Sequence, residues 1–238
     1  MIDRIGPTRR PDRKVRGFQQ WRSLLFMHWP VPVETLRPLV PNSLELDVYD
    51  GVVYVGVVPF AMQGVRPRWW PASWAFTFLE TNVRTYVYWG DQPGVYFLSL
   101  EAASGLAVWA ARQFWGLPYY HAEMSLQREE DEVHYETTRH GSGVRHDVRY
   151  RIGRPLSPSQ PDTLEFFFLE RYLLFVERHG KTYAGQVHHT PYPAQQAEVL
   201  EVKDGLLPAA GIDSCDGPPA FVHYSSGVDV EVFNLQPV

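Results

Sequence analysis

Glu80, Asn82 and Arg84 are the residues of this chain best suited by type and spacing to acid–base chemistry. They lie in the run FTFLETNVRTYVYW, residues 76–89, which predicts a β-strand. Residues two apart on a strand point to the same side, so the three polar groups share one face. That face is turned either to water or to a wet interior. In an interior, Glu80 would transfer protons while Asn82 and Arg84 bind a carboxylate.

A second candidate set, Tyr119-Tyr120-His121, begins the strand predicted after Gly116-Leu117-Pro118. Tyr119 and His121 share one face of that strand, and Tyr120 points to the other. Phenol and imidazole groups donate hydrogen bonds, and imidazole transfers protons near neutral pH. This set is either a hydrogen-bonding and acid–base site or a half-exposed strand surface.

The sequence predicts no metal site and no cofactor. His188 and His189 are adjacent, and neighbouring strand residues point to opposite faces, so they do not easily share one ion. There is also no HExxH motif, no paired CxxC motif and no phosphate-binding glycine loop. The single cysteine, Cys215, has acidic neighbours that would raise its thiol pKa, which disfavours a nucleophile.

Composition limits the class of protein. The chain has 238 residues and a net charge of −5, and a nucleic-acid partner would require a basic face. One cysteine, no apolar leader and no apolar run of about 18 residues predict a cytoplasmic protein with no membrane partner. A basic cluster near the start predicts a flexible segment over residues 1–17, followed by a single domain over residues 18–238.

Strand patterns dominate the chain and are joined by short connections. Ser104 is predicted to cap a helix that runs to Trp115 and stops at Gly116. A second short helix is predicted from a cap at Asp162 to about Glu170. Strands are predicted at 76–89, 119–127, 132–139 and 144–152, the last three being antiparallel neighbours. The order predicts a mainly β (α+β) fold with two or three short helices, in which periodicity alone does not separate an antiparallel barrel from a sandwich.

The stretch from Glu80 to Met124 resembles the acetoacetate decarboxylase superfamily. The shared order is a strand with Glu80, a hairpin, an Ala-rich helix with Arg112, and a residue pair after Gly116-Leu117-Pro118. Most of the chain is similar to the YqjF-like group of uncharacterised proteins in that superfamily. The segments that carry this similarity are Trp29–Pro32, Leu39–Pro41, Val57–Phe60, Glu80–Val87, Gly116–Ala122 and His188-His189.

The resemblance implies a cone-shaped antiparallel β-barrel with an internal pocket for a small-molecule ligand. It implies that Glu80 and the pair Tyr119-Tyr120 face this pocket, and it also suggests a homo-oligomer. Arg84 or Arg112 would then hold a carboxylate or keto acid. His188, in a segment that carries the similarity, completes the predicted ligand-binding residues.

At the residue pair after Pro118, this chain lacks the groups that the decarboxylases use for catalysis. Where the decarboxylases have a lysine pair that forms a Schiff base with a β-keto acid, this chain has Tyr119 and Tyr120. Phenols form no imine, and Lys14, Lys181 and Lys203 lie in a predicted tail and predicted turns. The sequence therefore predicts no Schiff-base decarboxylase. It leaves open a lyase or isomerase acting on a keto or hydroxy acid, or a non-catalytic sensor or carrier.

Overall fold

Runs rich in Val, Tyr and Phe form strands over most of the chain in the computed structural model, which describes residues 1–215 and 217–238. The strands among these residues are β1 (Gly17–Val31), β2 (Glu45–Leu46), β3 (Val53–Pro67), β4 (Phe76–Trp89), β5 (Gln92–Ala102), β6 (Tyr119–Glu129), β7 (Glu132–Arg139), β8 (Arg145–Pro155), β9 (Leu173–Arg178), β10 (Lys181–His188), β11 (Ala194–Asp204), β12 (Phe221–Val232) and β13 (Gln236–Pro237).

The helices are short. They are α1 (Val33–Leu36), α2 (Gly105–Trp115), α3 (Leu164–Leu169) and α4 (Leu206–Ala209), with 3-10 turns at Gly6–Thr8, Arg37–Leu39 and Ala72–Trp74. The predicted ends of α2 are confirmed, because the Ser104 side chain accepts a hydrogen bond from the Ala107 amide and Gly116 is left-handed with φ 67°. None of the helices described is long and apolar enough to cross a membrane.

The predicted cap of α3 is wrong by one residue. Thr163, rather than Asp162, caps this helix by accepting a hydrogen bond from the Phe166 amide at 3.3 Å. Asp162 instead has φ 70° in the turn before the helix. Both side chains suit a helix start, so the local backbone geometry decides which of them caps it.

The strands close into two rings that share a wall. One ring runs through β12, β1, β3, β4, β5, β9 and β10, because β10 pairs back to β12. The other continues from β5 through β6, β7, β8 and β11 to β12. Most pairings are antiparallel, as predicted, but β5 pairs in parallel with β6 and with β9. The crossover that the β5–β6 pairing requires is provided by α2.

The shared wall is buried on both faces, and this explains its sequence. All residues of β3 from 53 to 60 are buried, without the alternation expected of a sheet with one wet face. Neighbours in β1 belong to different cores: Phe26 packs inside the first ring with Phe60, while Met27 packs inside the second with Val57. Alternate side chains of β4 therefore point into two different cores.

The first residues of the chain contact the first ring. Arg4 forms an ion pair with Asp47 at 2.6 Å, and Arg10 forms one with Glu231 at 2.6 Å. Arg13 donates a hydrogen bond to the Gln186 side chain at 2.5 Å. Segment 1–17, predicted to be flexible, is thus connected to the domain by arginine side chains, and Asp47 links it to the interior described below.

Candidate functional site

A cavity of about 170 Å³ lies inside the first ring. Of the residues predicted for a site, Glu80, Asn82, Arg84 and Tyr119 line this cavity. The first three are contributed by alternate positions of β4 and are 2%, 5% and 9% exposed. Their burial excludes the alternative in which this face of β4 is turned to water.

Glu80 and Tyr119 are joined directly. The Tyr119 hydroxyl donates a hydrogen bond to the Glu80 Oε2 at 2.7 Å, and Tyr119 is also buried. Two strand pairings produce this contact: β4 runs beside β5, and the parallel pairing of Leu100 with Tyr119 places the start of β6 next to β5. The left-handed Gly116 ends α2 and turns the chain toward this strand.

Burial changes the ionisation of both groups. Loss of water raises the pKa of Glu80 to about 8, although the Tyr119 hydroxyl opposes the shift by stabilising the carboxylate. Burial, the Glu80 charge and the shared hydrogen bond raise the pKa of Tyr119 well above its usual value. At pH 7 the pair is therefore predominantly neutral, with a carboxylic acid beside a phenol. A carboxylic acid of this pKa can both donate and accept a proton near neutral pH.

Arg84 is a buried cation that has no acidic partner among the residues that the structure describes. Its Nη2 donates to the Phe168 carbonyl at 3.2 Å, while its Nε has no hydrogen-bond partner among the described residues. Within that same part of the chain no carboxylate lies within 4.0 Å of its guanidinium group. The Oδ1 of Asn82, two residues away, also lacks a described partner. Two residues of the cavity lining thus each have a buried polar atom, one donor and one acceptor, without a described partner.

Arg171 is a cavity residue that the sequence patterns did not reveal. Its Nε donates to the Phe167 carbonyl at 2.7 Å and its Nη1 to Asp47 at 2.8 Å, whereas its Nη2 has no partner among the described residues. Burial lowers the pKa of Arg171 to about 10, which leaves it charged at pH 7. The signal that could have indicated it is the charged pair Glu170-Arg171 inside an apolar run, since buried charges need a partner.

Asp47 neutralises part of this charge. Arg4 donates two hydrogen bonds to the Asp47 carboxylate, at 2.6 and 2.7 Å, in addition to the bond from Arg171. One carboxylate therefore serves two arginines. With Arg84, the cavity wall carries two guanidinium groups, of which only that of Arg171 is paired with a carboxylate among the described residues.

Tyr120 and Arg112 lie outside the cavity lining, which corrects their predicted placement. Tyr120 is 36% exposed, and the centre of its ring lies 3.8 Å from the Arg139 guanidinium carbon. Arg112 is exposed on α2 and donates through its Nε to the Tyr119 carbonyl at 2.6 Å. Arg112 thus contacts the backbone that carries Tyr119. The pair after Pro118 splits because neighbouring strand residues point to opposite faces.

His121 and His188 are also outside the lining. His121 is exposed, and its ring centre lies 4.4 Å from that of His140. Tyr119 lines the cavity and His121 does not, because His121 pairs with Ala102, the last residue of β5, and the cavity lining does not extend that far along β5 and β6. His188 lies at the end of β10, and its Nδ1 is 3.9 Å from the Oε2 of Glu231.

Comparison with known proteins identifies the family. The model of DUF2071, described as "Uncharacterized conserved protein", matches residues 18–229. The chain belongs to this family. The uncharacterized protein YqjF of Bacillus subtilis (strain 168) is 37% identical over 221 residues, which cover 92% of this chain and 90% of YqjF. The similarity to the YqjF-like group is therefore confirmed.

Several solved structures of other proteins have a fold similar to that of this DUF2071 protein. The enduracididine biosynthesis enzyme MppR complexed with pyruvate has a TM-score of 0.65 at 12% identity, over 95% of this chain and 91% of that chain. Acetoacetate decarboxylase from Legionella pneumophila has a TM-score of 0.62 at 11% identity, over 99% and 93%. These identities show the fold alone, and they confirm the acetoacetate decarboxylase-like architecture.

No lysine lines the cavity of this DUF2071 protein. All three lysines of the chain, Lys14, Lys181 and Lys203, lie in the part that the structure describes, and all are exposed. An imine-forming amine is thus missing at the pair after Pro118 and also in the rest of the cavity wall.

One cluster on the second ring has the residue types of a metal site. Single ligand atoms of His134, Glu136 and Asp147 lie within 4.8 Å of one another. Arg145 forms ion pairs with Glu136 at 2.6 Å and with Asp147 at 3.4 Å. A cation already neutralises these carboxylates, so the cluster is explained as a surface ion-pair network of this DUF2071 protein.

Proposed function

We propose that the cavity binds a small carboxylate and that Glu80 and Tyr119 exchange a proton with it. The observation that carries this proposal is Arg84, which is 9% exposed and has no acidic partner within 4.0 Å among the described residues. A buried charge without a counter-ion costs several kcal/mol. An anionic ligand beside Arg84 would offset that cost.

Two further groups support the same ligand chemistry. Arg171 offers a terminal nitrogen, and Asn82 an amide oxygen, neither of which has a partner in the described chain. Guanidinium groups bind carboxylates through charge-assisted hydrogen bonds. MppR, which shares the fold, forms a complex with pyruvate, a keto acid. A keto or hydroxy acid with its carboxylate at the arginines is the class that these groups favour.

Glu80 gives the site its acid–base capacity. With a pKa of about 8, it is predominantly protonated at pH 7 and can donate to a carbonyl or hydroxyl oxygen. The resulting carboxylate, stabilised by the Tyr119 hydroxyl, can accept a proton from carbon. Enolisation, isomerisation and dehydration require this pair of transfers, so the protein would be a lyase or an isomerase that uses no imine.

A ligand-binding protein without turnover is the second candidate. The observation in its favour is the replacement of an amine by a phenol at both positions of the pair, Tyr119 and Tyr120. Such a sensor or carrier would use Arg84 and Arg171 in the same way and would leave Glu80 as a neutral hydrogen-bonding group. The two candidates differ only in whether bound acids are converted.

Binding is tested by a thermal-shift screen of carboxylates on the wild-type protein and on Arg84→Met. Stabilisation by an acid should disappear in Arg84→Met and persist in Arg128→Met, a control at an exposed arginine of β6. A ligand that stabilises all three proteins equally would contradict binding at Arg84.

Turnover is tested by exchange of hydrogens next to the carbonyl of bound keto acids for deuterium in D₂O, followed by NMR. We expect Glu80→Gln to bind the acid but lose the exchange, and Glu129→Gln, at an exposed position, to retain it. Binding with no exchange and no other conversion in the wild-type protein would reject the enzyme and leave the sensor or carrier.

A further inference from the structure

The wall of the cavity outside its polar groups is made of large apolar side chains. Tryptophan and phenylalanine rings come from four different elements, and aliphatic side chains lie between them. The main apolar contributors are Trp21, Phe60, Met62, Phe97, Leu100 and Trp115. An acid of two or three carbons would leave most of this apolar surface without contacts, since a small polar molecule buries little apolar surface.

The volume of the cavity is that of an aromatic ring rather than of a small acid. An engineered protein cavity of about 150 Å³ accommodates benzene. The cavity here measures about 170 Å³ and is lined by comparable side chains, with the polar groups added. It therefore has room for a ring-sized body.

The polar groups are spread along the cavity. Successive same-face residues of a strand are about 7 Å apart, so the Cα atoms of Glu80 and Arg84 are separated by about 13 Å. The side chains at the two ends also have different partners, because Glu80 is bonded to Tyr119 and Arg84 to the Phe168 carbonyl. Glu80 and Arg84 therefore contribute polar groups at different positions along the cavity wall, with apolar residues also in the lining.

We infer that the ligand is a monocarboxylic acid with an apolar body of about the size of a phenyl ring. The inference rests on the proposed function and specifies its substrate class. The carboxylate lies at Arg84 and Arg171, and a hydroxyl or amino hydrogen of the ligand is donated to Asn82 Oδ1. The apolar body lies against Trp21, Phe60 and Trp115, and the cavity volume limits it to a single ring or a branched chain of similar size.

The test uses pairs of acids that differ only in the apolar body: acetate and phenylacetate, pyruvate and phenylpyruvate, lactate and 3-phenyllactate. Binding to the wild-type protein is measured by calorimetry. We expect each phenyl member to bind about 100-fold more tightly, because a buried ring removes about 100 Å² of apolar surface from water. Equal affinities within the pairs would overturn the inference and leave the proposed carboxylate site intact.

Phenylacetamide tests the proposed carboxylate site separately from the inferred ring site, because it keeps the ring and loses the charge. We expect it to bind at least about 10-fold more weakly than phenylacetate, since it loses the charge-assisted bonds to the arginines. Equal binding of the amide would contradict the carboxylate site, and with it the inference. No binding of any acid in the panel would reject both.

Substitution of Trp115 tests where the apolar body of the ligand lies. Trp115→Leu, at the end of α2, should weaken phenylacetate by about 10-fold and change acetate binding little, since only the ring contacts the removed surface. Trp74→Leu is the matched control at a tryptophan that is 66% exposed, and it should change neither affinity. Equal losses for phenylacetate and acetate in Trp115→Leu would place the ring elsewhere and contradict the inference.

Discussion

The Tyr119 hydroxyl lies 2.7 Å from a carboxyl oxygen of Glu80, and this contact joins two strands through residues that are 39 positions apart in sequence. Both groups are buried, so neither can exchange its partner freely with water. The phenol is the group that stabilises a Glu80 carboxylate, so the contact influences the ionisation of the cavity. Substitution of either residue should therefore change how the cavity titrates.

Glu80→Gln should change the pH dependence of stability. The pKa of Glu80 is about 8 in the folded protein and near its ordinary value of 4.5 when unfolded, so the folded state binds more protons between these pH values. Folding stability contributed by this group is therefore lost as pH rises from about 4.5 to about 8, by up to about 1.4 kcal/mol per pH unit. Glutamine cannot ionise, and the variant should lack this loss.

Urea unfolding at pH 5 and pH 9 measures the effect. The variant should resemble the wild-type protein at pH 5 and exceed its stability at pH 9. Glu170, a buried carboxyl group that is not among the groups acting on the pKa of Glu80, titrates in both proteins and cancels in the difference. Parallel pH profiles for Glu80→Gln and wild type would show that Glu80 has an ordinary pKa.

Tyr119→Phe should raise the pKa of Glu80 above about 8. The hydroxyl lowers that pKa by hydrogen bonding to the carboxylate, and phenylalanine removes the bond while keeping the ring. A carbon-13 NMR titration of labelled glutamate side chains reports the value. Tyr120→Phe is the control at a ring outside the cavity lining, and a shift equal to that of Tyr119→Phe would refute the specific contact.

Asp47→Asn should destabilise the protein by about 3–5 kcal/mol, because it leaves the buried Arg171 without a counter-charge. Arg4→Gln should have a smaller effect, since the Arg4 side chain is 21% exposed and Arg171 keeps its partner. Chemical unfolding at pH 7 compares these variants with Asp229→Asn, which breaks an exposed ion pair with Arg22. Similar small losses in all three would mean that Asp47 and Arg171 are not a buried pair.

Borohydride treatment with acetoacetate should leave the protein unmodified. Imine formation needs an unprotonated amine next to the bound keto acid, and the three lysines of the chain are exposed and absent from the cavity lining. Intact-mass spectrometry with a lysine-dependent decarboxylase as the positive control checks this outcome. An adduct on any lysine would establish the imine mechanism that Tyr119 and Tyr120 argue against.

The alternation of a strand was enough to place Glu80, Asn82 and Arg84 on one face, and the caps of α2 were readable from Ser104 and Gly116. The same rule was insufficient for His121, because a shared face does not determine how far along a strand the cavity extends. His121 pairs with Ala102, the last residue of β5, and both lie outside the cavity lining. Arg171 was missed for a similar reason, since nothing local relates it to Asp47, which lies 124 residues away.

Sequence alone determined which residues share a side of β4, where α2 begins and ends, and that the pair after Pro118 carries no amine. These properties depend on backbone periodicity and residue type, which are local. Only the tertiary structure decided that the polar side of β4 is enclosed, that Tyr119 alone of its pair lines the cavity, and that Arg171 joins Arg84 there. Two rings of strands share the β1–β3–β4 wall, so both faces of β4 are buried, and burial depends on contacts between distant segments.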